Sequence, residues 1–281
     1  MCARHACSPL EALLVDSAFD ADVYPDEPMR RHTMYRIGGP ARFYVQVGSI
    51  GALKRLVAAC QECAIPWVAV GRGSNLLVSD EGFPGVVIAL GRDFRACRFD
   101  EETCSFIVGA GVPLSSVVQE AFRRSLSGLE FAVGTPGTVG GAVRMNAGTR
   151  EQGIADRVVS VTTLSPRSGL VRREAADVQW GYRSSSFAPD EVIVECELAV
   201  KPADPYLLRG KMEAAHARRK KTQPLTLPSC GSVFKNPEGS SAGQLIEQVG
   251  LKGERVGGAQ ISEVHANFIV NRDNATAQDV L

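Results

Sequence analysis

An excess of charge of either sign is missing from this chain. It carries 31 basic and 31 acidic residues over 281 positions, so no net field favours a nucleic acid or a membrane surface, and an anionic ligand must be met by local groups. Long apolar runs are missing too, and no stretch nears the roughly 20 residues that span a bilayer. The opening MCARHACSPLEALLVD has no apolar h-region. No signal peptide is therefore read, and the expected compartment is the cytoplasm. The eight cysteines lack the spacing of a disulfide framework. Cys60 and Cys63 form a lone CxxC on a helix-like segment and the rest are scattered, which predicts reduced, buried thiols rather than a zinc site. The four histidines, at 5, 32, 216 and 265, are too dispersed for a metal site. Internal repeats and low-complexity tracts are absent.

What is there reads as mixed α and β structure, long enough for two or three domains. Strands are predicted at 41–47, 66–70, 85–90, 105–110 and 157–165. Residues 50–64 place Leu53, Leu56, Val57, Cys60 and Ala64 on one helical face. Pro113 suits the first position of a helix running to Arg124. In 191–201, Val192, Val194, Cys196, Leu198 and Val200 alternate strictly with the other face. KPADP (201–205) reads as a linker to a basic helix, Tyr206 to Lys221. HANFIVN (265–271) reads as a strand. Thr276 and Asp279 then have capping-box spacing two residues before the end. A helix of one turn cannot stand alone, so the sequence is expected to be truncated at its C-terminus.

Two glycine-rich loops carry the first chemical signal. GTPGTVGGAVRMNAG (134–148) interleaves Gly134, Gly137, Gly140 and Gly141 with Thr135 and Thr138. Backbone without Cβ atoms approaches a ligand closely and aims N–H groups at it, and the hydroxyls add donors, which suits a pyrophosphate. It is not a P-loop, and neither it nor GRGSN (71–75) has the full dinucleotide fingerprint. Either could be a tight structural turn; both together, beside predicted strands, favour a dinucleotide. In YRSSSF (182–187), Arg183 could clamp a carboxylate or simply sit on the surface at a turn. In GSVFKNP (231–237), Ser232 could protonate a carbanion-like enolate or cap a helix. Lys235 and Asn236 could serve a phosphate or sugar. The run HARRKKTQ (216–223) reads as a solvated helix face leading towards that segment.

In this order and spacing, GRGSNLL, GTPGTVGGAVRMNAG, YRSSSF, GSVFKNP and HANFIVN resemble the UDP-N-acetylenolpyruvoylglucosamine reductase family in its shorter subtype, over residues 28–281. The resemblance implies an α+β chain: a two-subdomain FAD-binding fold of the vanillyl-alcohol oxidase (PCMH) type plus a C-terminal α+β substrate-binding domain. The implied boundaries are an N-terminal extension over 1–27, subdomains over 28–95 and 96–203, and the substrate domain over 204–281. Cofactor contacts are implied for Gly71, Arg72, Gly73, Ser74 and Asn75. They are also implied for Gly134, Thr135, Pro136, Gly137, Thr138, Gly140 and Gly141, with Asn146 and Gly148. Arg183 matches the arginine that stabilises an enolate, and Ser232 the serine that protonates it. Tyr182, Lys221, Lys235, Asn236 and Asn267 fall where substrate contacts are expected. The implied cycle passes a hydride from NADPH to FAD and on to the enolpyruvyl group of a nucleotide sugar, for peptidoglycan synthesis, in a monomer with no nucleic-acid or membrane partner. The family's catalytic glutamate lies beyond the last residue, and neither Glu263 nor Asp279 matches it. Two other readings stay open: another FAD oxidoreductase of the same fold, and a non-catalytic nucleotide-sugar binder.

Overall fold

Largely buried β-strands build two main sheets that share a boundary, in a computed structural model describing residues 8–149 and 152–281. Cys2, His5 and Cys7, in the expected N-terminal extension, lie outside the described residues. The first sheet follows α1 (Pro9–Leu14) and has the order β1-β2-β4-β3. Its strands are β1 (Ala21–Pro28), β2 (Pro40–Val47), β3 (Trp67–Val70) and β4 (Phe83–Leu90), with α2 (Ile50–Glu62) between β2 and β3. β2, β4 and β3 run parallel and β1 runs antiparallel at the edge. Because both faces are covered, β4 is apolar along its length. Val86 and Ile88 pack with Val45 and Val47 against Leu10 of α1 and Leu53, Leu56 and Val57 of α2. Val87 and Ala89 pack with Met29, Ala41 and Tyr44 on the other face.

Part of the stretch expected as an N-terminal extension is strand: residues 21–28 form β1, paired from Ala21↔Val47 to Pro28↔Pro40. Pro25 and Pro28 suit only an edge strand, and they hide the pattern. Ala64 also departs from expectation, lying beyond α2 on exposed backbone with φ 52.

The second sheet is antiparallel, in the order β5-β6-β12-β8-β9. Its first part comprises β5 (Cys97–Asp100), β6 (Ser105–Gly109), α3 (Leu114–Arg123) and the short β7 (Leu126–Ser127). Next come α4 (Val139–Arg144), β8 (Val158–Ser165), β9 (Gly169–Glu174) and the hairpin of β10 (Trp180–Gly181) and β11 (Ser184–Ser185). β12 (Val192–Ala199) is the middle strand of the sheet, and β13 (Lys201–Pro202) pairs with β7 in a separate two-stranded ladder. Pro113 caps α3 from outside rather than starting it. β12 does not keep the strict alternation the sequence suggests. A register shift between Ile193 and Glu195 turns the strand over, as an extra residue in a β-bulge does. Val192 and Val194 therefore join the first core, whereas Cys196 and Leu198 pack with Phe106, Val117 and Val143 in the second. One strand thus binds both sheets together. The expected linker at 201–205 is partly paired, with Lys201 and Pro202 opposite Ser127 and Leu126.

The remainder contains α5 (Pro205–Thr222), α6 (Ala242–Gln248), the three-stranded β14 (Arg255–Val256), β15 (Ala259–Ile261) and β16 (Ile269–Asn271), and α7 (Ala277–Val280). Only 269–271 of HANFIVN is strand, because Phe268 N–H closes a turn on His265 O. The Thr276–Asp279 capping box forms. This lobe is tied to the first sheet by side chains. Asn271 Nδ2 donates to Tyr35 O at 2.9 Å. The two oxygens of Asp80 accept from the Ala277 and Gln278 N–H groups at 2.8 and 3.1 Å. Tyr35 and Ile37 pack on Ala259, Ala275 and Ala277.

Among the described residues no helix is long and apolar enough to cross a membrane, and no cluster of three metal-ligating groups occurs. The six described cysteines are free. Burial pushes Cys60 up to about 12. Cys97, expected to be buried, is exposed on edge strand β5.

Two outcomes follow from these ties. Asp80→Ala removes the acceptors of the Ala277 and Gln278 N–H groups at the start of α7, leaving the Thr276 cap, and should cost about 1 kcal/mol, lowering Tm by about 2–4 °C in calorimetry; an unchanged Tm contradicts the tie. Glu191, buried beside β12, is ion-paired to Arg173. Burial opposes its ionisation, but the Arg173 hydrogen bond, the Ala188 N–H and the Arg173 and Arg144 charges outweigh it and hold the carboxyl below 4.5. A lowered folded value stabilises above the unfolded one and is lost as pH falls through the folded one. The stability gap between wild type and Glu191→Gln in urea should therefore be full above pH 4.5 and shrink below it; a gap that widens on acidification contradicts this.

Candidate functional site

A cleft of about 810 Å³ opens between the second face of the first sheet and the glycine loops, a volume suited to a cofactor-sized ligand. Tyr44, Gln46, Val68, Val70 and Ala89 form one wall, and Ala110, Gly111, Pro136, Thr138, Gly140 and Gly141 the other. GRGSN follows β3 directly and delivers Gly71 and Arg72 to the cleft. Gly73 takes φ 60, and a Cβ there would lie 2.2 Å from His32 O.

The two loops meet at bare backbone. A Cβ on Gly71 would come within 2.5 Å of Thr138 Oγ1, and one on Gly137 within 2.9 Å of Ser74 Oγ. Ser74 Oγ–H donates to Pro136 O at 3.5 Å. Thr138 caps α4, accepting from Gly141 N–H at 3.4 Å. The expected fan of ligand-facing amides is only partly available. Gly140 N–H is spent on Ala110 O, Gly141 N–H on Thr138, and Thr135 N–H on Ala132 O. Gly140 and Gly141 line the cleft because they lack a Cβ, which allows close approach.

Not all expected cofactor contacts gather here. Gly73, Ser74 and Gly137 belong to the junction between the loops, and Asn75 is exposed beside it. Gly134, at φ 69, faces Arg219 instead. Asn146 spends its amide inside the protein, donating to Gly181 O at 3.0 Å and accepting from Ala155 N–H at 3.1 Å. Gly148 offers its carbonyl to Arg183 Nη2 at 2.7 Å. These two therefore hold the Arg183 hairpin rather than line the cleft.

Arg183 sits at φ 54 in the two-residue turn between β10 and β11, with its guanidinium 5.8 Å from the Tyr182 ring centre. Asn236 Nδ2 donates to Tyr182 OH at 3.3 Å, and its Oδ1 accepts from Ala242 N–H at 3.1 Å. The hairpin and the GSVFKNP segment are thereby joined. Ser232 is exposed, and its backbone bridges to Phe268; α6 is capped by Ser241 instead. Asn267, expected to contact substrate, is 3% exposed and pairs with the Phe234 backbone. Its Oδ1 accepts from Phe234 N–H and its Nδ2 donates to Phe234 O, both at 2.9 Å. It clamps the loop that carries Ser232. Lys221 and Lys235 are exposed, with no ion pair among the described residues.

Several groups at the site escaped sequence reasoning. Arg144, inside the glycine-loop motif, lines the cleft. Its guanidinium donates to Phe187 O at 3.2 Å, to Ala188 O at 2.9 Å and to Glu191 O, and burial lowers its pKa. His32 stacks on Tyr44 at 3.8 Å between ring centres and hydrogen-bonds Glu27 through Nε2 at 3.0 Å. Arg31, Arg72 and Arg95 add cationic lining. Arg219, in the run read as a solvated face, is half-buried on Gly134, and desolvation lowers its pKa. No periodicity marks these positions; the position of Arg144 between two glycine-loop landmarks was the one usable signal.

Known proteins match this geometry in order. Residues 41–173 match an FAD binding domain, and residues 223–281 match the C-terminal domain of UDP-N-acetylenolpyruvoylglucosamine reductase. UDP-N-acetylenolpyruvoylglucosamine reductase 2 of Symbiobacterium thermophilum is 47% identical over 256 residues, spanning 91% of this chain and 82% of the relative. The crystal structure of UDP-N-acetylenolpyruvylglucosamine reductase from Thermus caldophilus superimposes with a TM-score of 0.82 at 39% identity, covering 92% of this chain and 91% of that one. A berberine bridge enzyme variant, at 17% identity and a TM-score of 0.54 over 70% of this chain and 44% of its own, shares the fold alone. The family model, the relative and the solved structure agree over most of the sequence: the chain belongs to the UDP-N-acetylenolpyruvoylglucosamine reductase family.

Proposed function

We propose that this chain reduces the enolpyruvyl group of UDP-N-acetylglucosamine enolpyruvate to give UDP-N-acetylmuramate, with FAD and NADPH. It does so as a cytoplasmic monomer serving peptidoglycan synthesis and, through it, cell shape and division. The observation that carries the reading is convergence. Two glycine loops close on one cleft, and the Tyr182–Asn236 hydrogen bond joins the Arg183 hairpin to the Ser232 loop. The cleft fits FAD on its own terms: its floor is bare backbone at Gly71, Gly140 and Gly141, and Arg72 and Arg95 offer charge to a pyrophosphate.

When bound, FAD supplies a carrier that takes two electrons from NADPH and delivers them to the enolpyruvyl double bond. The residues of this chain handle charge and protons. Arg183 has one nitrogen fixed on Gly148 O, and its other N–H donors, which have no hydrogen-bond partner among the described residues, can meet an enolate oxygen. Ser232 Oγ gives its proton to the adjacent carbon, which is basic enough to take it when held in line and dry. Asn267 fixes the Phe234 backbone and so the reach of Ser232. Asn236 and Tyr182 set the gap between donor and cation. Lys221 and Lys235, both exposed, serve as point charges for the nucleotide phosphates. The lobe over 204–281 carries the substrate side of the site.

Anaerobic stopped-flow absorbance tests the reading. Wild-type holoenzyme should bleach with NADPH and recolour with the enolpyruvyl nucleotide sugar; protein that binds no FAD contradicts it. Ser232→Ala should leave bleaching nearly intact and slow recolouring by about 10²–10⁴, whereas equal loss in both steps removes the assigned role. Arg183→Ala should cost about 2.7–4 kcal/mol in turnover, by analogy with losing an oxyanion donor; unchanged turnover returns Arg183 to an ordinary turn residue.

A further inference from the structure

Two residues before Ser232, Cys230 reaches the first lobe. Its thiol hydrogen is shared between Gly73 O at 3.3 Å and Leu76 O at 3.2 Å. The first acceptor belongs to the GRGSN turn, whose Gly71 and Arg72 line the cleft. Cys230 packs with Tyr35, Ile37, Ala259, Ala275 and Ala277. The Tyr35 hydroxyl, in a residue 3% exposed, is buried with no hydrogen-bond partner among the described residues. Burial pushes the thiol up, so at neutral pH Cys230 is a proton-bearing donor rather than a nucleophile.

The segment that follows is held from the other side. Ser232 bridges to Phe268, Val233 N–H donates to Asn267 O at 2.9 Å, and Phe234 is clamped by the Asn267 amide. Ser232 therefore hangs between two anchors, Asn267 on its own lobe and Cys230 on the cofactor-facing turn. We propose that Cys230 is a positioning residue for the proton transfer, fixing the Ser232 loop on the carbonyls of Gly73 and Leu76 so that the serine is held at a set distance from whatever the GRGSN turn binds. This rests on the function proposed above. Sulfur suits the role because both bonds are long. A serine oxygen sits closer to its Cβ and needs a shorter approach to a carbonyl, so it can replace the thiol only by drawing the loop inward.

The test uses holoenzyme with Cys230→Ala and Cys230→Ser, and reads the two half-reactions separately. Bleaching by NADPH should stay within about twofold, while recolouring by the nucleotide sugar should slow about 10-fold or more in the alanine variant and less in the serine variant, in keeping with the cost of displacing a reacting group by a fraction of an ångström. Equal slowing of both steps, or of neither, overturns the proposal. If Cys230→Ala does not accumulate folded, Cys230→Ser decides on the same split. A second readout needs no turnover. Iodoacetamide labelling of Cys230, followed by peptide mass spectrometry, should be severalfold slower with FAD bound than in FAD-stripped protein, because a loaded turn holds both carbonyls in place. Equal labelling rates overturn the coupling. Wild-type protein that fails to bleach with NADPH sinks the parent function, and is thereby told apart from a failure of Cys230 alone.

Discussion

The site depends on one close approach: GRGSN and the long glycine loop touch where each sets a glycine against the other's hydroxyl side chain. Gly71 faces Thr138 and Gly137 faces Ser74 at separations that any larger residue would violate. Thr138 cannot swing aside freely, since it is β-branched and caps α4. The contact joins the two loops that line the cleft and lies at the start of α4, which Thr138 caps. Bare backbone is needed here for proximity more than for its amides, since Gly140 and Gly141 spend theirs internally.

The second lobe of the reaction is hung from the first. Asn271, Asp80 and the Tyr35–Ile37 cluster dock the C-terminal sheet on the segment between β1 and β2 and the loop after β3. Ser232 thus inherits its position from the same turn that lines the cleft. Arg183 inherits its own from Gly148 and, through Asn146, from the end of the glycine loop. Charge follows the same economy. Arg144, desolvated in the cleft wall, donates to the carbonyls of Phe187, Ala188 and Glu191, and the Glu191 carboxylate beside it ion-pairs with Arg173.

Much of this was legible in the sequence. The strand at β8 and the amphipathic face of α2 needed only composition and period, and the capping box of α7 needed only spacing. The loops were legible because glycine at φ near 60 or 114 has few substitutes. What stayed hidden was long-range. The turnover of β12 depends on a bulge opposite β8, which no single strand encodes. β1 was masked by two prolines that an edge tolerates. Asn267 and Asn146, expected as ligand contacts, also bond inside the protein, to Phe234 and to Gly181 and Ala155, and no sequence pattern announces those long-range pairings. Arg219 looked solvated until Gly134 came to lie against it.

The account stands on the contact between the two glycine loops, and FAD titration of Gly71→Ala against wild type measures it most directly. A Cβ at 2.5 Å from Thr138 Oγ1 forces the loops apart. FAD affinity should therefore fall at least about tenfold, which is about 1.4 kcal/mol, with far-ultraviolet circular dichroism unchanged. Affinity equal to wild type in a folded variant would show that the loops need not touch to hold the cofactor, and would contradict the account.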